Sequence, residues 1–263
     1  MATYVTGDTH GNGYDLADRM VKAGMKPSDT IIIAGDAGIA YGSWKSDTMP
    51  RTAEARSDIG IIIMRGNHDA RYWRDATRYD GNLRPGWHLT RPDRHGSRLL
   101  YDERYPNVLY VRDDGGLYDI DGTSVLFIPG AYSVDQQWRI ANWQPYEEEE
   151  QLTTSEMERL TAIAEGTDER ITVVSHTCPH AWEDEVSVTF ASSVDQASVD
   201  KTMERWMDGI WDAVRDRCDG WYFGHYHADM GIEQTGGIAR MLYHDVVRID
   251  KPRRRSTVAV NAA

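Results

Sequence analysis

Five apolar runs spread along the chain each end at a small residue that is followed closely by a residue able to bind a metal. The runs read YVTGDTHG, TIIIAGD, IGIIIMRGNHD, ITVVSH and WYFGHYH. The metal-binding residues that they deliver are Asp8, His10, Asp36, Asn67, His176, His225 and His227. Asp, Asn and His are poor occupants of strand ends unless something binds them. The five runs therefore predict strands whose ends together form a metal site.

The first half of the chain alternates strand and helix patterns at intervals of about thirty residues, the length of a βαβ unit, so its strands should pair in parallel. Residues 14–25 carry apolar side chains at helical spacing, and a break at 26–29 precedes the apolar run 31–34. In open α/β sheets, ligands bind beyond the carboxyl ends of the parallel strands. The candidate metal ligands lie at such ends.

A second group of short strands, separated by turn sequences, follows. The strands are predicted at 107–112, 117–120 and 123–128, with hairpin turns at 113–116 and 121–122. This pattern predicts a second, more antiparallel sheet. Helices are predicted over 151–164 and 199–215, the latter with an apolar stripe at three- and four-residue steps.

Length and composition predict one domain. A chain of 263 residues with 40% hydrophobic content is long enough to bury a sizeable core, so we expect a single domain over residues 1–250. Residues 251–263 are basic and then small and polar, which is typical of a flexible tail.

Charge, cysteine content and hydropathy limit the binding partners and the cellular compartment that we predict for the protein. The net charge of −13 disfavours binding to nucleic acid and to anionic membranes. No apolar run approaches the roughly 18 to 20 residues that span a bilayer. The two cysteines allow one disulfide at most. We therefore predict a cytoplasmic protein without a membrane segment, and its oligomeric state is left open.

The candidate ligands combine two carboxylates, four imidazoles and one amide. Such a mixed nitrogen and oxygen set suits Mn, Fe or Zn better than metals that select thiolates. Seven ligands exceed what one tetrahedral or octahedral centre with an open position needs. The set therefore predicts two divalent ions, with one carboxylate able to bridge them.

The motifs GDTHG, GD, GNHD, SH and GHYH, in this order, resemble the five-part signature of the calcineurin-like metallophosphoesterase superfamily. The resemblance runs from Asp8 to His227 and thus covers most of the chain. It implies an α/β fold, a four-layer αββα sandwich of two mixed β-sheets flanked by helices, with a dinuclear centre at the loop ends. It also implies a hydrolase that acts on phosphoester bonds.

The resemblance assigns a role to each matching residue. The first ion would be held by Asp8, His10, Asp36 and His227. The second would be held by Asp36, Asn67, His176 and His225, so that Asp36 is the bridge. His68 matches the family's proton donor to the leaving group, and Asp69 matches the acidic neighbour that orients this histidine.

A hydroxide shared by the two ions could attack phosphorus in line, while His68 would protonate the leaving oxygen. The sequence around Asp36 continues AGIAYG, and GNHD stands where eukaryotic-type Ser/Thr protein phosphatases have GNHE, which argues against protein phosphatase activity. A phosphomonoester, a phosphodiester or nucleic acid would suit the same centre, and a small phosphoester is favoured. The alternative functions are a metal-dependent nuclease and a non-catalytic binding scaffold with this fold.

Four arginines near the motifs are candidates for substrate binding, because a guanidinium can donate to two phosphate oxygens at once. These residues are Arg65, Arg71, Arg74 and Arg139. Residues 71–88 and 133–146, rich in aromatic side chains, are predicted as the loops that decide the substrate.

Overall fold

The structure is a computed structural model that describes residues 1–38, 49–142, 149–187 and 199–249. Two mixed β-sheets of seven and six strands carry helices on their outer faces. This arrangement confirms the predicted α/β fold with two mixed sheets flanked by helices. No helix in these four ranges is both long enough and apolar enough to span a bilayer.

Thirteen strands and seven α-helices are described. The strands are β1 (Thr3–Thr6), β2 (Thr30–Ala34), β3 (Gly60–Met64), β4 (Trp87–Leu89), β5 (Leu100–Asp102), β6 (Val108–Tyr110), β7 (Gly116–Ile120), β8 (Thr123–Ile128), β9 (Ile171–Ser175), β10 (Cys218–Phe223), β11 (Met230–Gly231), β12 (Ala239–Met241) and β13 (Val246–Arg248). The helices are α1 (Gly13–Lys22), α2 (Met49–Ala55), α3 (Tyr72–Ala76), α4 (Gln136–Ala141), α5 (Thr154–Gly166), α6 (Glu183–Val186) and α7 (Thr202–Val214).

Each sheet has a parallel centre. The first sheet has the order β13-β1-β2-β3-β6-β5-β4, in which β1, β2, β3 and β6 run parallel. The second has the order β11-β12-β10-β9-β8-β7, in which β12, β10, β9 and β8 run parallel. The antiparallel strands lie at the edges. The carboxyl ends of the central strands therefore lie together in each sheet.

The run of isoleucines in β2 shows why this part of the chain forms a central strand. Ile31 and Ile33 pack towards α1 against Leu16 and Met20, whereas Ile32 packs into the core between the two sheets. A strand that is buried on both faces needs an uninterrupted apolar run. Each of these side chains contributes about 1.5–3 kcal/mol when fully buried.

Helices α5 and α7 cover the outer face of the second sheet. The inner face of α7 carries Met203, Met207, Ile210 and Val214, all buried at three- and four-residue steps. Helix α5 begins at a capping box, in which the Thr153 and Glu156 side chains each accept from the other's backbone amide. Both helices agree with the predicted spans to within a few residues.

The prediction of a more antiparallel second sheet was wrong in two respects. Strand β6, from the predicted strand at 107–112, pairs in parallel with β3 and belongs to the first sheet. The second sheet is mainly parallel. Turn residues after β6 suggested a hairpin, but the Asp113 carboxylate accepts from the Trp73 and Arg74 amides of α3. This contact ties the segment to the first sheet before the chain crosses to the second.

The segments predicted as substrate loops contain regular structure. Helix α3 and the first two residues of strand β4 lie within 71–88, and helix α4 lies within 133–146. Residues 143–146 and the predicted tail at 251–263 fall outside the described residues. The single domain over residues 1–250 stays a prediction.

Candidate metal centre

The five predicted ligand turns follow the carboxyl ends of β1, β2 and β3 in the first sheet and of β9 and β10 in the second. Parallel pairing places the ends of neighbouring strands at one edge, and the two facing sheets place their edges side by side. The structure therefore brings all seven predicted ligands into one cluster at this edge.

One part of the cluster consists of Asp8, His10 and His227, whose ligand atoms lie within 4.8 Å of one another. Nε2 of His10 and Nε2 of His227 are 2.9 Å apart. Asp8 Oδ2 lies 3.1 Å from His227 Nε2 and 3.7 Å from His10 Nε2. Both imidazoles are partly exposed, so this side of the centre faces solvent.

The other part of the cluster is buried. Ligand atoms of Asp8, Asp36 and His176 also lie within 4.8 Å of one another, and Asp8 is thus common to both groups. Oδ1 of Asn67 lies 2.7 Å from His176 Nε2 and 3.1 Å from His225 Nδ1. The two parts together contain the seven residues that the sequence predicts.

The donor atoms fit divalent cations. Asp8 Oδ2 is buried and forms no hydrogen bond with any described residue, although imidazole nitrogens surround it. His176 Nδ1 lies 2.8 Å from the carbonyl oxygen of Ala34, which must accept its proton. A metal-binding imidazole is usually oriented in this way, because the other ring nitrogen is then left as the ligand.

Backbone strain is concentrated at the ligand turns. Six non-glycine residues of the described ranges have a positive φ, and four of them are predicted ligands: His10, Asp36, His225 and His227. Such conformations cost of order 1–3 kcal/mol each and persist where the surroundings enforce them. The fold therefore holds these side chains in positions that an unconstrained turn would avoid.

Two glycines allow the turns to approach one another. Gly35 has a φ of 94°, and a Cβ there would lie 2.1 Å from His176 Nδ1. A Cβ at Gly66 would lie 2.1 Å from Asp36 Oδ1. Any side chain at either position would displace a candidate ligand.

Asp36 and His176 form a buried pair with Asp36 Oδ1 3.4 Å from His176 Nε2. Burial favours the neutral carboxyl, but the charge and hydrogen bond of His176 outweigh burial and hold the pKa of Asp36 below its usual range. Burial likewise opposes the charge on His176, but Asp36 raises the pKa of His176 to about 9. A cation bound by Nε2 would therefore displace a proton.

His68 lies beside the centre. Its backbone amide donates to Asp36 Oδ1 over 2.8 Å, and its ring centroid is 6.0 Å from that of His10. Burial lowers the pKa of His68 below the ordinary value of 6.5, against the opposing effect of Asp36. The nearby Arg139 charge lowers it further.

Asp69 links the ligand turns that follow β2 and β3 through hydrogen bonds. Its two oxygens accept from the amides of Ala37, Gly38 and Gly66 and from the Tyr72 hydroxyl. These four donors use the acceptor positions of a carboxylate, so the structure gives Asp69 a different set of contacts from the orienting bond to His68 that the resemblance implies. Burial and then the Asp36 charge raise the pKa of Asp69 to about 6.

The four candidate arginines have partners within the protein. Arg65 is buried and donates to the carbonyls of Asp113, Gly66 and Glu150, and burial lowers its pKa to about 10. Arg71 is buried against Glu149 and Glu156. Arg74 is half exposed and pairs with Asp75, and Arg139 is buried against Asp135 and Glu150. Substrate binding by these side chains stays a prediction.

Two further residues support the centre and were not predicted. Arg19 is buried on α1 and donates through Nη2 to the backbone carbonyl of Asp8 and through Nη1 to Thr6 Oγ1. Tyr243 stacks on the His227 ring with centroids 5.0 Å apart. The position of Arg19 between Leu16 and Met20, on the apolar stripe of α1, was a signal in the sequence that its side chain is buried. No feature of the sequence indicated the contact of Tyr243 with His227.

Comparison with known proteins gives one family match. The profile of the calcineurin-like phosphoesterases matches residues 1–229. No curated protein sequence matches the chain. Among solved structures, a protein serine/threonine phosphatase from Saccharomyces cerevisiae with similarity to human phosphatase PP5 is 13% identical, with a TM-score of 0.36. That comparison covers 92% of this chain and 67% of the yeast chain.

Proposed function

Because the chain belongs to the calcineurin-like phosphoesterase family, whose members are hydrolases of phosphoester bonds, we propose that it hydrolyses phosphomonoesters or phosphodiesters at a centre of two divalent metal ions. The observation that carries this proposal is the cluster of two carboxylates, four imidazoles and one amide at the strand ends. A non-catalytic scaffold would not need this complete donor set.

The proposed ligands divide between a half-exposed and a buried position. Asp8, His10, Asp36 and His227 would hold the first ion, and Asp36, Asn67, His176 and His225 the second. Asp36 is the proposed bridge, and Asp8, which lies in both groups of close ligand atoms, is a second carboxylate near both ions. When bound there, two such ions would supply a hydroxide for in-line attack and would neutralise the phosphoryl oxygens.

His68 is the proposed proton donor to the leaving oxygen. It lies at the partly exposed side of the cluster, next to His10, and is itself only partly buried. The hydrogen bond from its backbone N–H to the Asp36 carboxylate fixes its backbone relative to the centre. Protonation of a leaving group by a positioned side chain is typically worth about 10²–10⁴-fold in rate.

A small phosphoester is the proposed substrate class. The net charge of −13 disfavours a long polyanion, because repulsion opposes its approach. Mn, Fe and Zn are the proposed metals, since imidazole and carboxylate ligands suit all three.

Metal removal and replacement test the proposed function. We expect that chelation abolishes hydrolysis of an aryl phosphate and of a bis-aryl phosphodiester, and that Mn²⁺, Fe²⁺ or Zn²⁺ restores at least one of these activities. Mg²⁺ should restore less, because it prefers oxygen ligands. Circular dichroism of the chelated protein controls for unfolding. Absence of turnover of both substrates with every metal would contradict the proposal.

A further inference from the structure

The amide of Asn67 has a chemically distinct partner at each end. Oδ1 faces the candidate ligands His176 and His225, whereas Nδ2 donates to Ser133 Oγ over 2.6 Å. Only the oxygen of an amide has lone pairs suited to binding a cation. The direction of the hydrogen bond to Ser133 therefore decides whether Asn67 can be a ligand.

The hydroxyl of Ser133 is directed by Glu150. Burial raises the pKa of Glu150, whereas its contacts with the Ser133 hydroxyl and with Arg139 oppose this rise and favour the ionised carboxylate. Because an ionised carboxylate only accepts, a hydrogen bond between the two groups takes its proton from Ser133. The oxygen of Ser133 is then left as an acceptor for Asn67. Ser133 and Glu150 are both buried, so water does not compete for these groups.

Buried arginines hold Glu150 in place. Arg139 Nη2 donates to Glu150 Oε1, and Arg65 Nη1 donates to the backbone carbonyl of Glu150 over 2.7 Å. Arg139 also pairs with Asp135, one turn earlier, which orients its guanidinium. Two of the arginines that the sequence suggested as substrate clamps thus support the Asn67 side of the centre.

We propose that Ser133 and Glu150 are positioning residues that fix the Asn67 amide with Oδ1 towards the buried metal position. This inference rests on the proposed metal centre. In Ser133→Ala, Nδ2 of Asn67 loses its acceptor, and rotation of the amide then presents hydrogens to the cation. In Glu150→Gln, the new amide can donate to Ser133, which frees the serine proton for Asn67 Oδ1 and favours the same rotation.

The test is Mn²⁺ binding to the metal-free protein by titration calorimetry, with the melting temperature measured alongside. We expect two Mn²⁺ per chain in the unmodified protein, and in Ser133→Ala and Glu150→Gln a loss of affinity of about 10- to 100-fold at one of the two sites. Ser124→Ala is the matched control. Ser124 is also buried, and its hydroxyl donates to Glu169 Oε2 over 2.7 Å. It lies at the start of β8, however, whereas Ser133 follows the end of that strand.

The outcomes separate the two proposals. Unmodified protein that binds no Mn²⁺ would overturn the metal centre and the positioning role together. Unmodified protein that binds two Mn²⁺, with Ser133→Ala and Glu150→Gln binding two equally well, would overturn the positioning role alone. Equal losses in Ser124→Ala would also overturn it, because the effect would then follow from general destabilisation.

A second and independent feature is a cleft of about 680 Å³ that shares no residue with the candidate metal centre. It lies between the connection from β4 to β5, the turn after β6 and the C-terminal end of α5. A volume in the range of about 300–1,000 Å³ suits a small organic ligand.

The cleft is basic in an acidic protein. Arg98, Arg112 and Arg159 line it, and no Asp or Glu of the described ranges does, although the chain has 42 acidic residues. Arg98 is exposed and forms no hydrogen bond or ion pair within the described ranges. Arg112 and Arg159 both form ion pairs with one carboxylate, that of Asp114, which does not line the cleft. The Nε of Arg159 is buried and has no hydrogen-bond partner among the described residues. One acid therefore offsets only part of this charge.

The remaining walls of the cleft are largely apolar. Trp73, Leu89, Leu117 and Ile163 line it beside the arginines. The Arg112 guanidinium lies 5.5 Å from the centre of the Trp73 ring, so the cationic and aromatic surfaces are continuous. An inorganic anion would leave the apolar walls without a contact.

We infer that this cleft binds a small organic anion, which presents an oxyanion group to the arginines and an apolar body to Trp73 and the aliphatic side chains. Gly166, at the end of α5, lines the cleft, and a Cβ there meets no atom of a described residue within 4 Å. A glutamate at this position would therefore add bulk and negative charge to the cleft without a clash at its Cβ.

The probe is anilinonaphthalene sulfonate, an aromatic anion that a phosphoesterase cannot hydrolyse, followed by its fluorescence. We expect saturable binding that weakens about tenfold in Arg98→Ala and at least as much in Gly166→Glu. Gly209→Glu on α7 is the control, because a Cβ at Gly209 also meets no atom within 4 Å among the described residues, and the charge change is the same. Absence of saturable binding, or equal affinity in all three variants and the unmodified protein, would overturn the inference.

Discussion

Replacing Asp36 with asparagine is expected to lower kcat/KM for phosphoester hydrolysis by about a thousandfold or more, because several kcal/mol of charge stabilisation depend on the bound ions. Asp36 is the proposed ligand of both ions, and asparagine keeps its size while removing its charge. The buried His176 would also lose the carboxylate that raises its pKa to about 9. Steady-state kinetics and the metal content of the purified variant measure both effects.

Asp29→Asn is the matched control for this experiment. Asp29 is also buried, and it lies just before β2, whereas Asp36 follows the other end of the same strand. Its carboxylate accepts from the amides of Ala2 and Lys26, so its loss affects stability without removing a candidate ligand. An Asp36→Asn variant that keeps two ions per chain and full activity would contradict the bridging assignment.

Replacing His68 with asparagine is expected to have an effect that depends on the leaving group. An alkyl phosphate leaves as a strongly basic alkoxide, so its turnover should fall by about 10²–10⁴-fold when the proton donor is lost. A nitrophenyl phosphate hardly needs protonation, and its turnover should change little. A plot of kcat against the pKa of the leaving alcohol measures the difference.

The pH dependence of the rate of the unmodified enzyme tests the same role of His68. His68 donates only when protonated, so the rate with an alkyl phosphate should fall as pH rises through its pKa. Because burial lowers the pKa of His68, this fall should begin below 6.5. The control is His88→Asn, which changes an exposed histidine of the edge strand β4 that pairs with Glu103. Equal losses for alkyl and aryl substrates in His68→Asn would assign His68 to binding instead of proton transfer.

The position of the candidate site could be predicted from the sequence because parallel strands impose their own geometry. Each ligand motif directly follows an apolar run, and the ends of neighbouring parallel strands lie at one edge. Asp8 and His227 are more than two hundred residues apart, yet their side chains are 3.1 Å apart. Motif order and strand direction together were sufficient to predict this contact.

The environment of the arginines could not be predicted in the same way. Arg65 stands two residues before Asn67, which suggested a side chain facing the site, but its acceptors are backbone carbonyls, among them those of Asp113 and Glu150. Nothing in the local sequence identifies carbonyl acceptors that are 48 and 85 positions away. The pairing of β6 with β3 was missed for the same reason, since the turn residues after β6 are compatible with a hairpin or with a crossing between sheets.

The cluster draws its ligands from both sheets, with Asp8, Asp36 and Asn67 following strands of the first and His176 and His225 following strands of the second. Ions held there would join the two halves of the molecule as a cross-link that forms only after the halves have docked. Folding and metal capture are then one linked equilibrium, in which the affinity for the ions adds to the stability of the folded chain. A chain in which the two sheets separate would release its ions, so the metal content of a preparation reports the fraction that is correctly assembled.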